Sequence, residues 1–176
     1  MIVAVTGTPG TGKTTAVERV ETDLEIIHLN DVLRERESEL TTGIDRDRDS
    51  SIADLDAIDA SFADLDDLLI ESHLAHRLDV DRVIVLRCHP RELERRLQRR
   101  GSDREKAREN AEAEALDVIL SEAVSEHGLD AVYEIDTTDR TPEAVASEIQ
   151  AVLVGDHEPS AGTVDFIAYL EDGNDA

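Results

Sequence analysis

A glycine-rich segment near the N-terminus constrains the fold of this chain more than any other stretch. Residues 7–14 read GTPGTGKT and match the pattern G-x-x-x-x-G-K-[ST] of a phosphate-binding loop, or P-loop. The glycines let the backbone turn its N–H groups towards phosphate oxygens, and the following helix points its positive end at the same anion. An apolar run at residues 2–5 precedes the segment, and a helix-compatible stretch follows it. This order of strand, loop and helix favours a P-loop over a surface turn that matches by chance.

Two side chains of the motif have predicted contacts with a nucleotide. Lys13 would reach the β- and γ-phosphates, and the Thr14 hydroxyl would hold Mg²⁺. The motif therefore predicts a protein that binds a nucleoside triphosphate together with magnesium.

The charge of the chain is extreme. Its 176 residues, enough for a single domain, include 42 acidic and 18 basic side chains, which gives a formal net charge of −24. Such a surface repels nucleic acid, so a broad nucleic-acid-binding patch is not expected. Because concentrated salt screens this self-repulsion, we expect a high-salt cytoplasm. An acidic face that binds a basic partner is the alternative interpretation.

Other features of the sequence predict a soluble cytoplasmic protein. The single cysteine, Cys88, cannot form an internal disulfide and suits a reducing compartment. No apolar run approaches the ~18 residues of a transmembrane helix, and the N-terminus begins with a strand rather than a signal peptide.

Short apolar runs alternate with helical patterns along the chain. The runs that we interpret as strands lie at residues 2–5, 25–29, 68–70, 82–87 and 131–135. This alternation predicts an α/β fold, with a five-stranded parallel sheet covered by helices on both faces.

The segments between the strands are predicted as follows. We expect single helices at residues 32–40 and 103–126, with Leu116 on the apolar face of the second, and a mobile charged loop at 41–51. Residues 1–155 would form one domain, and 156–176 an acidic tail. Within the tail, residues 164–170 are a candidate for docking on the body, and the last six residues are expected to be disordered.

An acidic residue ends the predicted strand at 68–70. Ligands bind beyond the carboxyl ends of the strands in open α/β sheets, so Glu71 would face the nucleotide and orient Mg²⁺ directly or through water. The alternative is an ordinary solvated glutamate. His73 and His76 follow at once, but a lone histidine is more often structural than catalytic.

A cluster of arginines precedes Gly101. It consists of Arg91, Arg95, Arg96, Arg99 and Arg100. Because the guanidinium fork matches phosphate oxygens, such a cluster beside a helix break is typical of a lid that closes on a transferred phosphate. The alternative is a helix face that forms salt bridges with Glu92 and Glu94.

The missing signatures narrow the class of P-loop protein. A GTPase would read guanine through [NT]-K-x-D, and neither Lys13 nor Lys106 supplies it. The chain is also short for a helicase or a transport ATPase. A small phosphotransferase fits best, because phosphoryl transfer needs positioning and charge neutralisation more than covalent help.

Several motifs in order resemble those of one family. They are GTPGTGKTT at residues 7–15, Glu71-Ser72-His73, residues 85–87 with 93–101, and Lys106 with Asn110 and Glu114. Over about residues 1–150, the chain resembles the atypical adenylate kinases of archaea and eukaryotic nuclei. The resemblance implies a nucleoside monophosphate kinase-like P-loop NTPase that transfers phosphate from ATP to AMP, with ATPase activity. It also implies a link to small-ribosomal-subunit maturation and rRNA processing, with a basic ribosomal protein as partner.

The resemblance assigns roles position by position. The AMP-side insert falls at 31–64 with Arg34 as phosphate contact, and a short arginine-rich lid falls at 96–108. Glu71 and His73 fall on a motif that commonly has Asp in place of Glu71, which puts the relative rate of hydrolysis in doubt. The expected catalytic residues are Lys13, Glu71, His73, Arg96 and Arg100, and the expected metal-binding residues are Thr14 and Glu71. The expected nucleotide-binding residues are Gly7, Thr8, Pro9, Gly10, Thr11, Gly12, Lys13, Thr14, Thr15, Arg34, Arg100 and Thr137.

Two alternatives to adenylate kinase activity stay open at this point. One is an ATPase that serves in small-subunit assembly and releases a ribosomal partner. The other is a kinase on the same scaffold for another small acceptor, such as shikimate or gluconate.

Overall fold

A central parallel sheet organises the computed structural model, which describes residues 1–45 and 50–172. The strands are β1 (Ile2–Thr6), β2 (Glu25–His28), β3 (Thr41–Asp45), β4 (Ser50–Ala53), β5 (Leu68–Glu71), β6 (Arg82–Arg87) and β7 (Val132–Asp136). Five of them form the sheet in the order β2-β5-β1-β6-β7, and each neighbouring pair is parallel. The five predicted strands are thereby confirmed.

Helices cover both faces of the sheet, as predicted. They are α1 (Lys13–Val17), α2 (Leu29–Glu35), α3 (Glu37–Leu40), α4 (Leu55–Phe62), α5 (Pro90–Arg99), α6 (Arg104–Ala115), α7 (Val118–His127), α8 (Pro142–Val154) and α9 (Ala168–Asp172). Successive strand residues point to opposite faces, so Val3 and Val5 pack in one buried cluster with α1 and α8. Ala4 packs in a second cluster with α4 and α7. The continuous apolar runs of the strands follow from this double coverage.

The predicted mobile loop at residues 41–51 is wrong over most of its length. Strands β3 and β4 form an antiparallel hairpin with a register irregularity between Thr41 and Gly43. The threonines and isoleucines of this segment favour extended backbone, and cross-strand pairing outweighs the charged composition. Residues 46–49 of the predicted loop lie outside the described residues.

Two predicted helices are each divided in two. The helix predicted at 32–40 begins at Leu29 and breaks at Arg36, whose φ of −119° and ψ of 34° leave the helical region. The helix predicted at 103–126 breaks at Asp117, which has a φ of 54°. The carboxylate of Asp117 pairs there with the buried guanidinium of Arg87. Leu116, predicted to lie on the apolar face, is 54% exposed because the break turns it outward.

The segment after α8 packs on the edge of the sheet. Glu134 of β7 accepts hydrogen bonds from the backbone N–H groups of Thr163, at 2.7 Å, and Val164, at 3.0 Å. The Tyr169 hydroxyl donates to Glu94 of α5 at 3.4 Å. Of the six terminal residues predicted to be disordered, 171 and 172 instead end helix α9, so the prediction is wrong there, and 173–176 lie outside the described part of the chain. Among the described helices, none is long and apolar enough to cross a membrane.

Candidate active site

The glycine-rich segment connects β1 to α1 at the carboxyl edge of the sheet. A Cβ at Gly7, whose φ is +138°, would lie 2.3 Å from the carbonyl oxygen of Leu86 at the end of β6. A Cβ at Gly10, whose φ is +97°, would lie 3.0 Å from Leu93 of α5. The loop therefore packs tightly against β6 and α5. Backbone conformation favours glycine at both positions, and the contact with the Leu86 oxygen also leaves no space for a side chain at Gly7.

Lys13, the first residue of α1, is buried within the loop. Its Nζ donates to the carbonyl oxygens of Gly7 at 2.8 Å and Thr8 at 3.2 Å. Burial lowers the pKa of this ammonium to about 8, although the negative charges of Glu71 and Glu114 oppose that effect. At pH 7 the side chain is therefore still mostly protonated, and the loop encloses a positive charge.

Glu71 lies at the carboxyl end of β5, and only 4% of its surface is exposed. The Thr14 hydroxyl donates to Glu71 Oε2 at 3.2 Å, and Nδ1 of His28 lies 3.0 Å from the same oxygen. His28 is the register partner of Glu71 on the neighbouring strand β2, which places the two side chains together. The sequence interpretation missed His28, because strand order was needed to identify it.

The donor atoms at this point fit magnesium. Thr14 and Glu71 supply oxygen atoms, which Mg²⁺ prefers, and it usually takes its other ligands from water and substrate phosphates. Within residues 1–45 and 50–172, no cluster of three or more His, Cys, Asp and Glu side chains could hold a metal ion by itself. The oxygen atoms of Thr14 and Glu71 are thus of the kind that could contribute to a magnesium site completed by water and phosphate.

The two neighbouring histidines have different surroundings. His73 is exposed, and its pKa is lowered by the partial loss of solvent and then by the charge of Lys13. His76 is buried, with Nδ1 3.0 Å from the Thr6 hydroxyl and Nε2 2.9 Å from Glu122 Oε2. His76 is thus held by structural contacts, whereas His73 faces the cavities described next.

Three adjoining cavities lie at the carboxyl edge of the sheet, and residues of the phosphate loop line two of them. The middle one, about 280 Å³, is lined by Lys13, Thr14, Glu71, His73 and Arg100 together with loop glycines. A cavity of about 180 Å³ shares Arg100 with it and is also lined by Arg96, Thr137 and Arg140. A cavity of about 460 Å³ on the other side shares His73 and Asn30 with it, and is also lined by Arg34 and Glu37. The site is therefore a groove with three compartments, and the phosphate loop lies in the middle.

The arginines of the cluster have two kinds of contact, and Arg96 has both. Arg96 and Arg100 line the cavities, and Arg96 donates to the backbone oxygen of Thr137 at 3.2 Å and to Glu92 at 3.1 Å. Arg95 and Arg99 point to solvent and pair with Glu92, at 3.3 and 3.4 Å. The cluster thus combines both interpretations made from the sequence, since part of it faces the groove and part forms a salt-bridged helix face.

The other predicted contact residues also lie at the groove. The hydroxyl of Thr137 lies 2.9 Å from the carbonyl oxygen of Thr11 and 2.8 Å from that of Arg87, which ties the β7 end to the loop. Arg34 is exposed and pairs with Asp31 at 2.6 Å. Arg140, which lines the 180 Å³ cavity, was missed because nothing in its local sequence marks it as a site residue.

Comparison with known proteins places these features in a family. A family described as "AAA domain" matches residues 3–117. The chain is 62% identical to a protein named "Putative adenylate kinase" from Natronomonas pharaonis, over 97% of this chain and all of that one. The identity is also 62% to a protein of the same name from Halobacterium salinarum, with equal coverage.

A solved structure resembles the fold at low sequence identity. It is a deoxyadenosine kinase from M. mycoides with a TM-score of 0.55 and 15% identity, over 89% of this chain and all of that one. At this identity the likeness shows a shared fold.

Proposed function

The chain belongs to the archaeal adenylate kinase family, and we propose that it transfers the γ-phosphoryl group of ATP to AMP, which yields two molecules of ADP. The observation that carries this proposal is the continuity of the three cavities. A kinase must place donor and acceptor in line on either side of the transferred group. In this groove, the compartment of the phosphate loop shares lining residues with a compartment on each side.

Each compartment has side chains suited to one part of the reaction. We assign the donor nucleoside to the cavity beside Thr137 and Arg140, and the acceptor to the cavity beside Asn30 and Arg34. Arg34 is exposed and pairs with Asp31, so it can exchange that surface carboxylate for a phosphate at little cost. Two further assignments stay predictions: the segment 31–64 as the AMP-side insert, and the segment 96–108 as the lid that closes over the transferred phosphate.

The positive side chains at the centre would stabilise the charge on the transferred group. Lys13 and Arg100 line the middle cavity, and Arg96 lines the adjoining one. In a chain with a net charge of −24, this grouping favours the binding of a polyanion at one place. When bound beside Thr14 and Glu71, Mg²⁺ would neutralise part of the phosphate charge.

We assign His73 to the positioning of the acceptor and the transferred phosphoryl group. It is the one predicted catalytic side chain that lines both the phosphate cavity and the acceptor cavity. In the nucleotide-free site, partial burial and the charge of Lys13 lower the pKa of His73, which favours the neutral ring, so we assign it a hydrogen-bonding role.

An AMP-dependence assay tests the proposed reaction. The purified protein is incubated in molar KCl with ATP and Mg²⁺, with and without AMP, and the nucleotides are separated by chromatography. We expect ADP to form at a rate that depends on AMP, with two ADP per AMP consumed. Shikimate, gluconate, CMP and GMP serve as comparison acceptors. If one of these replaces AMP with a higher rate, or if AMP has no effect, the assignment is wrong.

The same assay without an acceptor measures the proposed ATPase activity. The basic ribosomal protein implied by the family resemblance stays a prediction, and the acidic surface would suit it. Addition of such a protein should raise slow ATP turnover if assembly is the main function.

A further inference from the structure

Glu114 connects the phosphate loop to the helix that follows the arginine-bearing turn. It lies one residue before the end of α6, and only 3% of its surface is exposed. Its Oε2 accepts a hydrogen bond from the Thr8 hydroxyl. Its Oε1 accepts from Nε of Arg87 at 2.8 Å and from the backbone N–H of Cys88 at 3.1 Å. Both oxygens of the carboxylate are therefore engaged, and together they join the loop, β6 and α6.

The environment of Glu114 fixes its orientation. The Arg87 guanidinium is almost fully buried and pairs with Glu134 and Asp117 as well as with Glu114. Arg87 also donates to the backbone oxygen of Glu114 at 3.1 Å. The Glu114 carboxylate therefore cannot rotate away from Thr8 without losing its bonds to Nε of Arg87 and to the Cys88 N–H, which are strong in this buried environment.

Thr8 in turn is central to the loop. Its carbonyl oxygen accepts hydrogen bonds from Lys13 Nζ at 3.2 Å, from the Thr11 N–H at 3.2 Å and from the Thr11 hydroxyl at 3.0 Å. A displacement of Thr8 would therefore move the groups that enclose the phosphate position.

We propose that Glu114 is a positioning residue that holds the phosphate loop, through Thr8, in the shape that binds ATP. Because α5 and α6 pack around Cys88, Leu93, Leu97 and Ala107, Glu114 also fixes the loop relative to the turn that carries Arg100. This proposal rests on the proposed function only in requiring that the loop bind ATP.

The first test changes the hydroxyl of Thr8 and leaves the Arg87 cluster intact. Thr8→Val keeps the size of the side chain and removes the donor, so Glu114 Oε2 loses its partner. We expect the dissociation constant for ATP, measured by calorimetry in molar KCl, to rise about tenfold. Thr8→Ser, which keeps the hydroxyl, should recover most of the affinity. If Thr8→Val binds ATP like the unchanged protein, the proposal is wrong.

The second test separates Glu114 from the other carboxylates on Arg87. In Glu114→Gln the amide oxygen can keep the Arg87 and Cys88 donors, which leaves the NH2 group facing Thr8 and removes the charged acceptor of the Thr8 hydroxyl. ATP binding should therefore weaken, and Thr8→Val should add little to this loss because both changes remove the bond that the Thr8 hydroxyl donates to the carboxylate. Asp117→Asn is the matched control, since it also removes a charge from Arg87 but does not contact Thr8. We expect Asp117→Asn to keep ATP affinity within about twofold of the unchanged protein. Equal losses from Asp117→Asn and Glu114→Gln, or additive losses in the double variant, would overturn the proposal.

The readout also separates this proposal from the proposed reaction. ATP affinity is measured without AMP, so a protein that does not phosphorylate AMP can still show the Thr8 effect. If the protein phosphorylates AMP but Thr8→Val does not change its affinity for ATP, only the role proposed for Glu114 is disproved, and the proposed reaction stands.

Discussion

The ammonium group of a buried lysine needs hydrogen-bond acceptors to replace lost water, and the phosphate loop supplies them to Lys13. Its ammonium has two carbonyl acceptors and lies in the field of Glu71 and Glu114. Burial still lowers its pKa to about 8, which shows that the fold pays a desolvation cost to keep a cation at this position. A phosphate group would add a negative charge in direct contact with this ammonium.

Replacement of Lys13 therefore has a predicted effect on every function considered for this chain. We expect Lys13→Ala to reduce turnover of ATP by about 10²- to 10³-fold or to background, since a positioned charge at the reacting phosphates is lost. The measurement is the rate of ADP formation at saturating ATP, with circular dichroism to confirm folding.

Arg77 provides the control for the loss of one positive charge, because it is exposed and lines none of the three cavities. Arg77→Ala removes the same charge from the chain outside the groove and outside the predicted lid. Substantial activity in Lys13→Ala, or equal losses in both variants, would contradict the site as described.

The sequence alone could identify site residues only where a motif of consecutive residues marks them. The loop at 7–14 and the strand-end carboxylate Glu71 are recognisable because their chemistry is encoded in consecutive residues. His28 and Arg140 reach the site only through strand order and the packing of α8, so no local pattern indicates them. His76 could not be distinguished from His73 by spacing, because burial against Thr6 and Glu122 decides its surroundings.

At the scale of the elements, the loop between β1 and α1 depends on close contacts with its neighbours. Gly7 lies against the backbone of β6, and Gly10 lies against α5. The first contact is with a backbone oxygen, which cannot move without distorting the central sheet. The second is with leucine side chains, which can adjust by a few tenths of an ångström.

Gly7→Ala should therefore destabilise the fold more than an alanine at another left-handed glycine. The added methyl group would lie 2.3 Å from the Leu86 oxygen. We expect a loss of unfolding free energy of ~1–2 kcal/mol from the backbone conformation, and a further ~1–3 kcal/mol from overpacking. The measurement is denaturant-induced unfolding in molar KCl.

Gly155→Ala isolates the conformational part of this effect. Gly155 follows α8 with a φ of +82°, and an added Cβ would meet no heavy atom within 4 Å. If Gly155→Ala and Gly7→Ala lower the free energy of unfolding equally, the close contact at Gly7 contributes nothing.

The sheet was predictable from the sequence, whereas the interruptions of the helices and the hairpin were not. Buried parallel strands leave continuous apolar runs, such as residues 82–87, that stand out in any polar chain. The break at Asp117 depends on its contact with Arg87, which lies 30 residues earlier in the sequence. The β3–β4 hairpin has little apolar content and is stabilised by pairing between its strands, so its composition resembles that of a loop.

At the scale of the whole molecule, the excess of negative charge dominates the electrostatics. Several arginines form ion pairs at the surface, such as Arg19 with Glu143 and Arg108 with Glu112. Exposed pairs of this kind contribute little to stability, typically ~0–1 kcal/mol each. Repulsion among the remaining carboxylates therefore opposes the folded state.

Screening of this repulsion gives a prediction for the stability of the whole chain. The Debye length falls from about 10 Å at 0.1 M to about 3 Å at 1 M ionic strength. We therefore expect the thermal midpoint, measured by circular dichroism, to rise when KCl is increased from low to molar concentration. Added salt also acts by exclusion from the protein surface, so the rise alone does not identify screening as its cause.

A charge-reduced variant separates these two effects of salt. The substitutions Glu18→Gln, Glu21→Gln, Asp64→Asn and Glu109→Gln remove four exposed negative charges from a net charge of −24. If repulsion limits stability, the variant should unfold at a higher temperature than the unchanged protein at low salt. This difference should shrink towards zero in molar KCl, because screening removes the repulsion in both proteins. If the two midpoints instead rise in parallel with KCl, exclusion accounts for the salt dependence and self-repulsion does not.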